Sequence, residues 1–302
     1  MYDLIIIGAG PAGITAAIYA ARKKMSLLVV TKDIGGQAAL SGDVENYTGY
    51  QFITGPELAL KFEEHLRKFD IALKENEAVQ EVKKINSVIQ VRTDKGVYEA
   101  RAVIVASGKR SRELGAPGEK EFKNKGLTYC ATCDAPLFAG KDVAVIGGGN
   151  SALDAALQLI KIANKIYIIN IAPQLTGDPI MQEALKDSPK ATVFNNTQAT
   201  AIAGGTMVSA LKIKKGDKEE SLSVQGIFVE IGLIPNSDFV KEVEKNKYGE
   251  IKVNPYNETN IPGIFAAGDV TDVPEKQIVI AAGEGSKAAL SVFGYLIRNS
   301  AA

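Results

Sequence analysis

The chain is 302 residues long, about twice an ordinary ~150-residue domain, so one large or two ordinary domains are expected. Apolar residues at 46% and charged residues at 23% are a globular composition and exclude a disordered chain. Lys and Arg total 35, and so do Asp and Glu; this balance excludes a general nucleic-acid or anionic-membrane surface.

In chain order, the first element is a strand over Leu4 to Ile7, continuous in apolar and mostly β-branched residues as a strand buried on both faces is. A glycine turn, a helix over Ile14 to Lys24 and a strand over Ser26 to Val30 complete a βαβ unit. No charged, apolar and small-residue succession marks a secretory leader, and no apolar run approaches the ~20 residues of a membrane span. A soluble cytoplasmic protein is therefore expected. The helix predicted over Glu57 to Phe69 carries the single histidine, His65, at a surface position.

Residues 71–101 alternate polar and apolar side chains around a turn at Asp94-Lys95-Gly96, the pattern of an antiparallel hairpin. A buried strand then runs from Ala102 into Ala106-Ser107-Gly108. After Cys130 and Cys133, a second βαβ unit repeats the first: strand to Ile146, glycine turn, helix over Leu153 to Ile162, strand over Lys165 to Ile169. Residues 192–225 repeat the hairpin texture, with turns at Gly204-Gly205 and Lys215-Gly216-Asp217, and Gly226 to Gly232 repeats the strand that runs into glycine. A strand over Ile264 to Ala267 and a helix over Gly285 to Arg298 close the chain, a stretch too short to fold alone. The expected fold is α/β: two Rossmann-like, three-layer dinucleotide-binding domains, the second inserted into the first. The first takes residues 1–112 and 239–302, the second residues 113–238.

The first turn has the spacing Gly8-x-Gly10-x-x-Gly13 and the second Gly147-x-Gly149-x-x-Ala152. Between a buried strand and a helix, such spacing permits a tight turn, close approach of backbone to a pyrophosphate, and close helix packing, with phosphates at the helix N-terminus. Two such turns point to two dinucleotides exchanging electrons, for which a flavin and a nicotinamide are the natural pair. Asp269, after Gly268 at a strand end, either accepts a ligand hydroxyl or caps the following turn.

Cys130 and Cys133 are the only cysteines. Two Cys and one His cannot furnish a four-ligand zinc site, so no metal is expected and a redox disulfide is. Asp134 beside them is suited to donating or accepting a proton as thiolates form, and equally to capping the helical turn that Ala-Pro-Leu-Phe begins.

Gly8 to Gly13, Cys130-Ala131-Thr132-Cys133-Asp134, Gly147 to Ala152, and Gly263-Ile264-Phe265-Ala266-Ala267-Gly268-Asp269 occur in the order found in the low-molecular-weight thioredoxin reductases, and the chain resembles that family over essentially its whole length. Gly226 to Asn236 and Gln277 to Lys287 look closer still to the flavoprotein subunit of alkyl hydroperoxide reductase, which carries a further N-terminal region. The resemblance implies FAD on Gly8, Gly10, Pro11, Ala12 and Gly13, with Thr31, Gly36, Gln37, Asn46, Val79, Ala106, Gly108, Gly268, Asp269, Gln277 and Ile278 around it. It implies a nicotinamide dinucleotide on Gly147, Gly149, Asn150, Ser151, Ala152 and Asn170. By the same resemblance Cys133 faces the flavin, Cys130 exchanges with the disulfide of thioredoxin or a thioredoxin-like protein, and Asp134 is the acid/base. A homodimer whose inserted domain rotates during turnover is implied as well.

One departure from the family concerns the electron donor. The usual His-Arg-Arg cluster for a 2′-phosphate is replaced by Asn170-Ile171-Ala172-Pro173, and no Lys or Arg occurs from Asn170 through Ala184. NADH is expected over NADPH, with the Asn170 amide bonding a ribose 2′-hydroxyl. Open alternatives are a reductase serving a peroxiredoxin system, a relative that takes electrons from ferredoxin, and a flavin and nicotinamide sensor without turnover.

Overall fold

The computed structural model describes every residue except Gly42, Glu45 and Ser300 to Ala302, and leaves the side chains of Asp43, Thr132 and Cys133 outside the description. Two compact units divide the chain: Met1–Arg110 with Ile234–Ala302, and Ser111–Leu233.

The first unit begins with β1 (Tyr2–Ala9), α1 (Pro11–Arg22) and β2 (Leu27–Ile34). A 3-10 turn at Gly36–Leu40, the short pair β3 (Asp43–Val44) and β4 (Ile53–Thr54), and α2 (Gly55–Leu66) follow. α2 begins earlier than its apolar pattern indicates because Thr54 and Glu57 form a reciprocal capping box. β6 (Val79–Ile85), β7 (Val88–Thr93) and β8 (Val97–Val105) form an antiparallel meander whose β7–β8 half is the expected hairpin around Asp94-Lys95-Gly96, while β5 (Ala72–Lys74), inside the same segment, instead lies parallel beside β2. The strand order is β5-β2-β1-β8-β7-β6. β1 is buried on both faces: Leu4 and Ile6 face a core shared with α1, while Ile5 and Ile7 face a second core against Val103 and Val105.

β9 (Lys109–Ser111) carries the chain into the second unit. Its first elements are α3 (Glu119–Phe122), β10 (Leu127–Thr128), α4 (Ala131–Asp134) and a 3-10 turn at Ala135–Phe138. The repeat follows as β11 (Asp142–Ile146), α5 (Asn150–Ile160), β12 (Lys165–Ile169), α6 (Pro179–Lys186) and β13 (Ala191–Phe194). β14 (Gln198–Gly204), β15 (Val208–Lys215) and β16 (Lys218–Ser223) form an antiparallel sheet, with turns at the predicted glycines. β17 (Gly226–Val229) returns to the centre of a parallel sheet ordered β10-β17-β11-β12-β13.

β18 (Leu233–Pro235) leads back, and β19 (Ile264–Ala266) adds to β8 in parallel. α7 (Ile278–Arg298) starts seven residues before the predicted Gly285. Gly283 and Gly285 resemble a break in sequence, but both lie inside the helix. A Cβ at Gly285 would come within 2.0 Å of the Ala12 carbonyl, so glycine there permits α7 to pack on α1. Among the described residues no helix is long and apolar enough to cross a membrane.

Candidate functional site: two glycine turns and a Cys-x-x-Cys centre

The outer glycines of the first turn are fixed by packing. Gly8 has φ +103°, and a Cβ at Gly13 would lie 1.9 Å from the Gly8 carbonyl. Gly10 differs: its φ is −80°, and a Cβ there would meet nothing nearer than the Gly35 carbonyl at 3.9 Å. Neither backbone angle nor internal packing demands glycine at this position. The space above it adjoins the N-terminus of α1, whose N-cap Gly10 offers no side-chain cap and whose N1 position is Pro11. A pyrophosphate approaching the backbone fits that opening and would accept from the first-turn N–H groups at Ala12 and Gly13. The second turn repeats the arrangement. A Cβ at Gly147 would meet the Glu230 carbonyl at 2.2 Å and the Ala152 Cβ at 2.9 Å, whereas at Gly149 the nearest atom is Thr176 Oγ1 at 3.8 Å. Gly149 likewise caps α5 without a side-chain bond.

In the first unit, further residues expected around FAD gather near this turn. Gly36 lies against Gly10, and Gly268 (φ +75°) lies against Ala12. The Asn46 amide donates to Gln277 Oε1 at 3.1 Å, and Ile278 packs with Val44, Ile53 and Leu58. The Ala106 carbonyl closes over Gly8, the Gly108 carbonyl accepts from the Asn236 N–H at 2.9 Å, and Gln37 sits in the 3-10 turn after Gly36. Thr31 is buried and turned inward. Its hydroxyl accepts from the Ala9 N–H at 3.1 Å and donates to the Asp33 carbonyl, so it fastens the strand ends that carry the turn. The Thr31 carbonyl accepts from the Glu77 N–H, which brings the loop before Val79 alongside.

Asp269 is half-buried and its carboxylate has no hydrogen-bond partner among the described residues, which suits acceptance of ligand hydroxyls. Desolvation pushes its pKa up, opposed by Lys276 and Lys109. Both lysines converge on Glu250: Lys109 Nζ lies 2.7 Å and Lys276 Nζ 3.3 Å from Glu250 Oε1, while the Asn246 amide donates to Oε2 at 2.6 Å. Burial acts to raise the Glu250 carboxyl, but these partners prevail and hold it below the usual value. Burial lowers the Lys276 ammonium. This charge cluster escapes sequence reasoning because its members are scattered along the chain.

The Cys-x-x-Cys segment begins where β10 ends. Cys130 is disulfide-bonded; Cys133, the chain's other cysteine, lies in α4 with its side chain outside the described residues. Thr128 Oγ1 accepts from the Cys130 N–H at 3.1 Å and donates to Asp134 Oδ2. Asp134 stands at the N-cap of the following 3-10 turn but forms no side-chain cap bond, so its carboxyl serves Thr128 rather than the helix end. Upstream, the buried Glu119 accepts from the Leu114 and Gly115 N–H groups and from the Tyr129 hydroxyl, each at 2.6 Å, and so anchors the residue before Cys130. A further carboxyl is unannounced by spacing: burial pushes Glu230, directly after β17, up to about 7, with the Ala131 backbone opposing the rise and Asp154 adding to it. Its sequence signal is an acid directly after a buried strand, where open α/β sheets place their ligands.

Beside the second turn, Asn170 directly follows β12. It is 3% exposed, and its amide is committed: Nδ2 donates to the Ala172 carbonyl and to Asn195 Oδ1, while Oδ1 accepts from the Ala172 N–H. In this conformation it fixes the loop after β12. Thr176 and Gly177 fold that loop over the turn by donating their N–H groups to the Gly148 carbonyl. Asn150 Oδ1 accepts from the Asp178 N–H at 2.7 Å, and Ser151 is exposed at the start of α5.

The sequence profile of the pyridine nucleotide-disulphide oxidoreductases matches residues 2–285. The chain belongs to this family. Flavin and pyridine nucleotide are the cofactors that membership implies, and both turns fit dinucleotides. Among solved structures, the thioredoxin reductase of Lactococcus lactis superposes with a TM-score of 0.86 at 32% identity, covering 99% of this chain and 100% of that one. The thioredoxin reductase of T. acidophilum gives 0.84 at 36%, covering 98% and 99%. This family member is thus a thioredoxin reductase-like flavoprotein oxidoreductase. It is also 41% identical to the "NADH dehydrogenase" of Bacillus subtilis (strain 168) and 43% identical to the F component of the alkyl hydroperoxide reductase of Pseudomonas putida, in each case over 99% of this chain and 59% of the relative. The chain therefore spans about three-fifths of the length of these curated relatives.

Proposed function

We propose that the chain is an FAD-dependent disulfide reductase that passes electrons from NADH through the Cys130–Cys133 couple to the disulfide of thioredoxin or a thioredoxin-like protein. The observation that carries this is the bonded Cys130 in a Cys-x-x-Cys segment, its N–H tied through Thr128 to the Asp134 carboxyl, in the unit that also contains the second glycine turn. Residues 1–112 with 239–302 are assigned to FAD and residues 113–238 to the nicotinamide and the redox centre. Bound FAD would accept a hydride equivalent from the nicotinamide and supply the electron pair that opens a disulfide.

The chain's own residues do the rest. Ala12 and Gly13 N–H groups bind phosphate, and Asp269 accepts hydroxyls. Asn46 and Gln277, bonded to each other, orient the group that lies beside Ile278. Thr128 ties the Asp134 carboxyl to the Cys130 backbone, and Asp134 serves as the acid/base of the centre. A Cys130 thiolate then attacks the partner's disulfide and releases it through a mixed disulfide. NADH is preferred over NADPH because no cation from residue 170 to 184 can pair a 2′-phosphate, and Asn170 stands where an amide can bond a ribose 2′-hydroxyl.

Anaerobic titration with NADH, NADPH and reduced ferredoxin in parallel tests the donor: NADH should bleach the flavin at the lowest concentration, and bleaching by ferredoxin alone would overturn the assignment. Cys130→Ser should abolish disulfide turnover while leaving flavin bleaching intact. The alkyl hydroperoxide reductase relatives favour a second reading, a reductase serving a peroxiredoxin system through a separate carrier. Peroxide turnover reconstituted with such a carrier and peroxiredoxin, but not with thioredoxin, would select it. A homodimer belongs to both readings and is checked by light scattering.

A further inference from the structure

We propose that Glu250 is a positioning residue of the FAD site: one carboxylate that, through Lys109, Lys276 and its own backbone, holds three distant stretches of the chain in the arrangement the cofactor requires. This rests on the assignment of the first unit to FAD and deepens it.

The three stretches are the one ending at Gly108, the one carrying Asp269 and the one beginning at Gln277, all assigned to FAD above. Lys109 directly follows Gly108, and its Nζ lies 2.7 Å from Glu250 Oε1. Lys276 directly precedes Gln277, the N-cap of α7, and its Nζ lies 3.3 Å from the same oxygen. Asp269 sits in a 3-10 turn at Gly268–Val270, to which Glu250 is linked by two routes. Its neighbour Ile251 donates its N–H to the Val270 carbonyl at 2.9 Å and accepts from the Asp272 N–H at 2.9 Å. Lys276 Nζ donates to the Thr271 carbonyl at 2.6 Å, and the buried Thr271 hydroxyl donates to the Gly268 carbonyl at 2.8 Å. Glu250 is itself fixed: Asn246 Nδ2 donates to Oε2 at 2.6 Å, and Asn246 Oδ1 accepts from the Glu250 N–H at 3.1 Å.

Burial separates this cluster from the other ion pairs. Its side chains are 11–22% exposed, whereas every other ion pair among the described residues has a partner at least 34% exposed. A buried ion cluster is often no more stabilising than an apolar contact of the same shape. What it adds is direction: two ammoniums bonded to one oxygen have their positions set by it, and so do the backbones beside them. Burial raises the Asp269 carboxyl and both ammoniums oppose the rise; bonded to Glu250, they leave the Asp269 oxygens to ligand hydroxyls.

The test uses the flavin-loaded full chain as purified. Serial dilution, with released FAD read by its fluorescence, gives Kd for wild type, Glu250→Gln, Lys276→Met, Lys276→Arg and the double variant Glu250→Gln/Lys276→Met. Leu66→Ala, a core deletion at the end of α2 outside the three stretches, serves as the stability control. Glu250→Gln and Lys276→Met should each weaken FAD binding about tenfold, and Lys276→Arg should stay within about threefold of wild type. The double variant should lose no more than the worse single one, because the two side chains act as a unit. Leu66→Ala should melt lower than wild type and still hold FAD within about threefold. Glu250→Gln binding FAD as wild type does, additive losses in the double variant, or an equal loss in Leu66→Ala would overturn the proposal and leave the FAD assignment standing. A wild-type chain that neither carries nor takes up FAD would overturn both. If Glu250→Gln does not fold, Lys276→Met against Lys276→Arg decides, and equal affinities refute the positioning role.

Discussion

Replacing Glu250 by Gln removes a carboxylate shared by Lys109 and Lys276 at 2.7 and 3.3 Å. At an effective dielectric of 20, these separations correspond to about 6 and about 5 kcal/mol of attraction. Dehydration of the ions offsets much of this, at several kcal/mol per ion. The three side chains are 11–22% exposed, and Asp269 remains as a counter-charge, so a net loss of about 2–4 kcal/mol is expected. For a unit of this size that is roughly 5–10 °C in Tm. The sign with pH follows from the depressed Glu250 carboxyl. Its contribution is complete above the unfolded value, about 4.3, and is lost as pH falls through the lower folded value. Calorimetry of wild type and Glu250→Gln at pH 7, 5.5 and 3 should therefore show a gap that holds at the first two and narrows at the last. A variant melting within about 1 °C of wild type at pH 7, or a gap that widens on acidification, would refute the cluster's stabilising role.

Gly13→Ala should lower stability by about 3 kcal/mol or prevent folding, because its Cβ meets backbone at 1.9 Å; Gly10→Ala should leave the melting of the flavin-free protein unchanged yet weaken FAD binding tenfold or more, measured by fluorescence titration. Phe228→Ala removes a fully buried ring in edge contact with Phe138 and should cost about 3–5 kcal/mol in denaturant unfolding. Glu230 has a raised carboxyl pKa, so ionising it penalises the folded state as pH climbs from about 4.5 past 7. Glu230→Gln should accordingly stabilise by up to about 3 kcal/mol at pH 8 and by nothing at pH 4; equal effects at both would contradict the burial of that charge.

The parallel strands β1 and β11 were legible because continuous apolar runs into glycine turns have few other uses, and the hairpins because alternation and turn residues agree. The start of α7 was not: Gly283 and Gly285 signal a break locally, and only the distant Ala12 carbonyl reveals why glycine sits inside a helix. Asn170 shows the reverse case. Spacing located the strand end correctly, but whether an amide is free for a ligand depends on Asn195 and Ala172, which spacing does not report. The Glu250 cluster was invisible for the same reason; Lys109 and Glu250 are 141 positions apart. Residues tied to a local motif could be read, and those defined by long-range partners could not.

The packing of α7 on α1, with Gly285 against Ala12 and Gly268 beside it, bears on how the chain folds as it is made. The second unit is contiguous and can fold as soon as it leaves the ribosome. The first cannot close: after β9 it waits for the whole of Ser111–Leu233, then for β19 and α7. At about 5–20 residues per second the delay is on the order of ten to thirty seconds. Throughout it, the apolar faces of α1 and β8 that α7 and β19 will cover stand open. The first glycine turn, on the strand and helix that α7 covers, is thus completed only after the whole of the second unit has emerged.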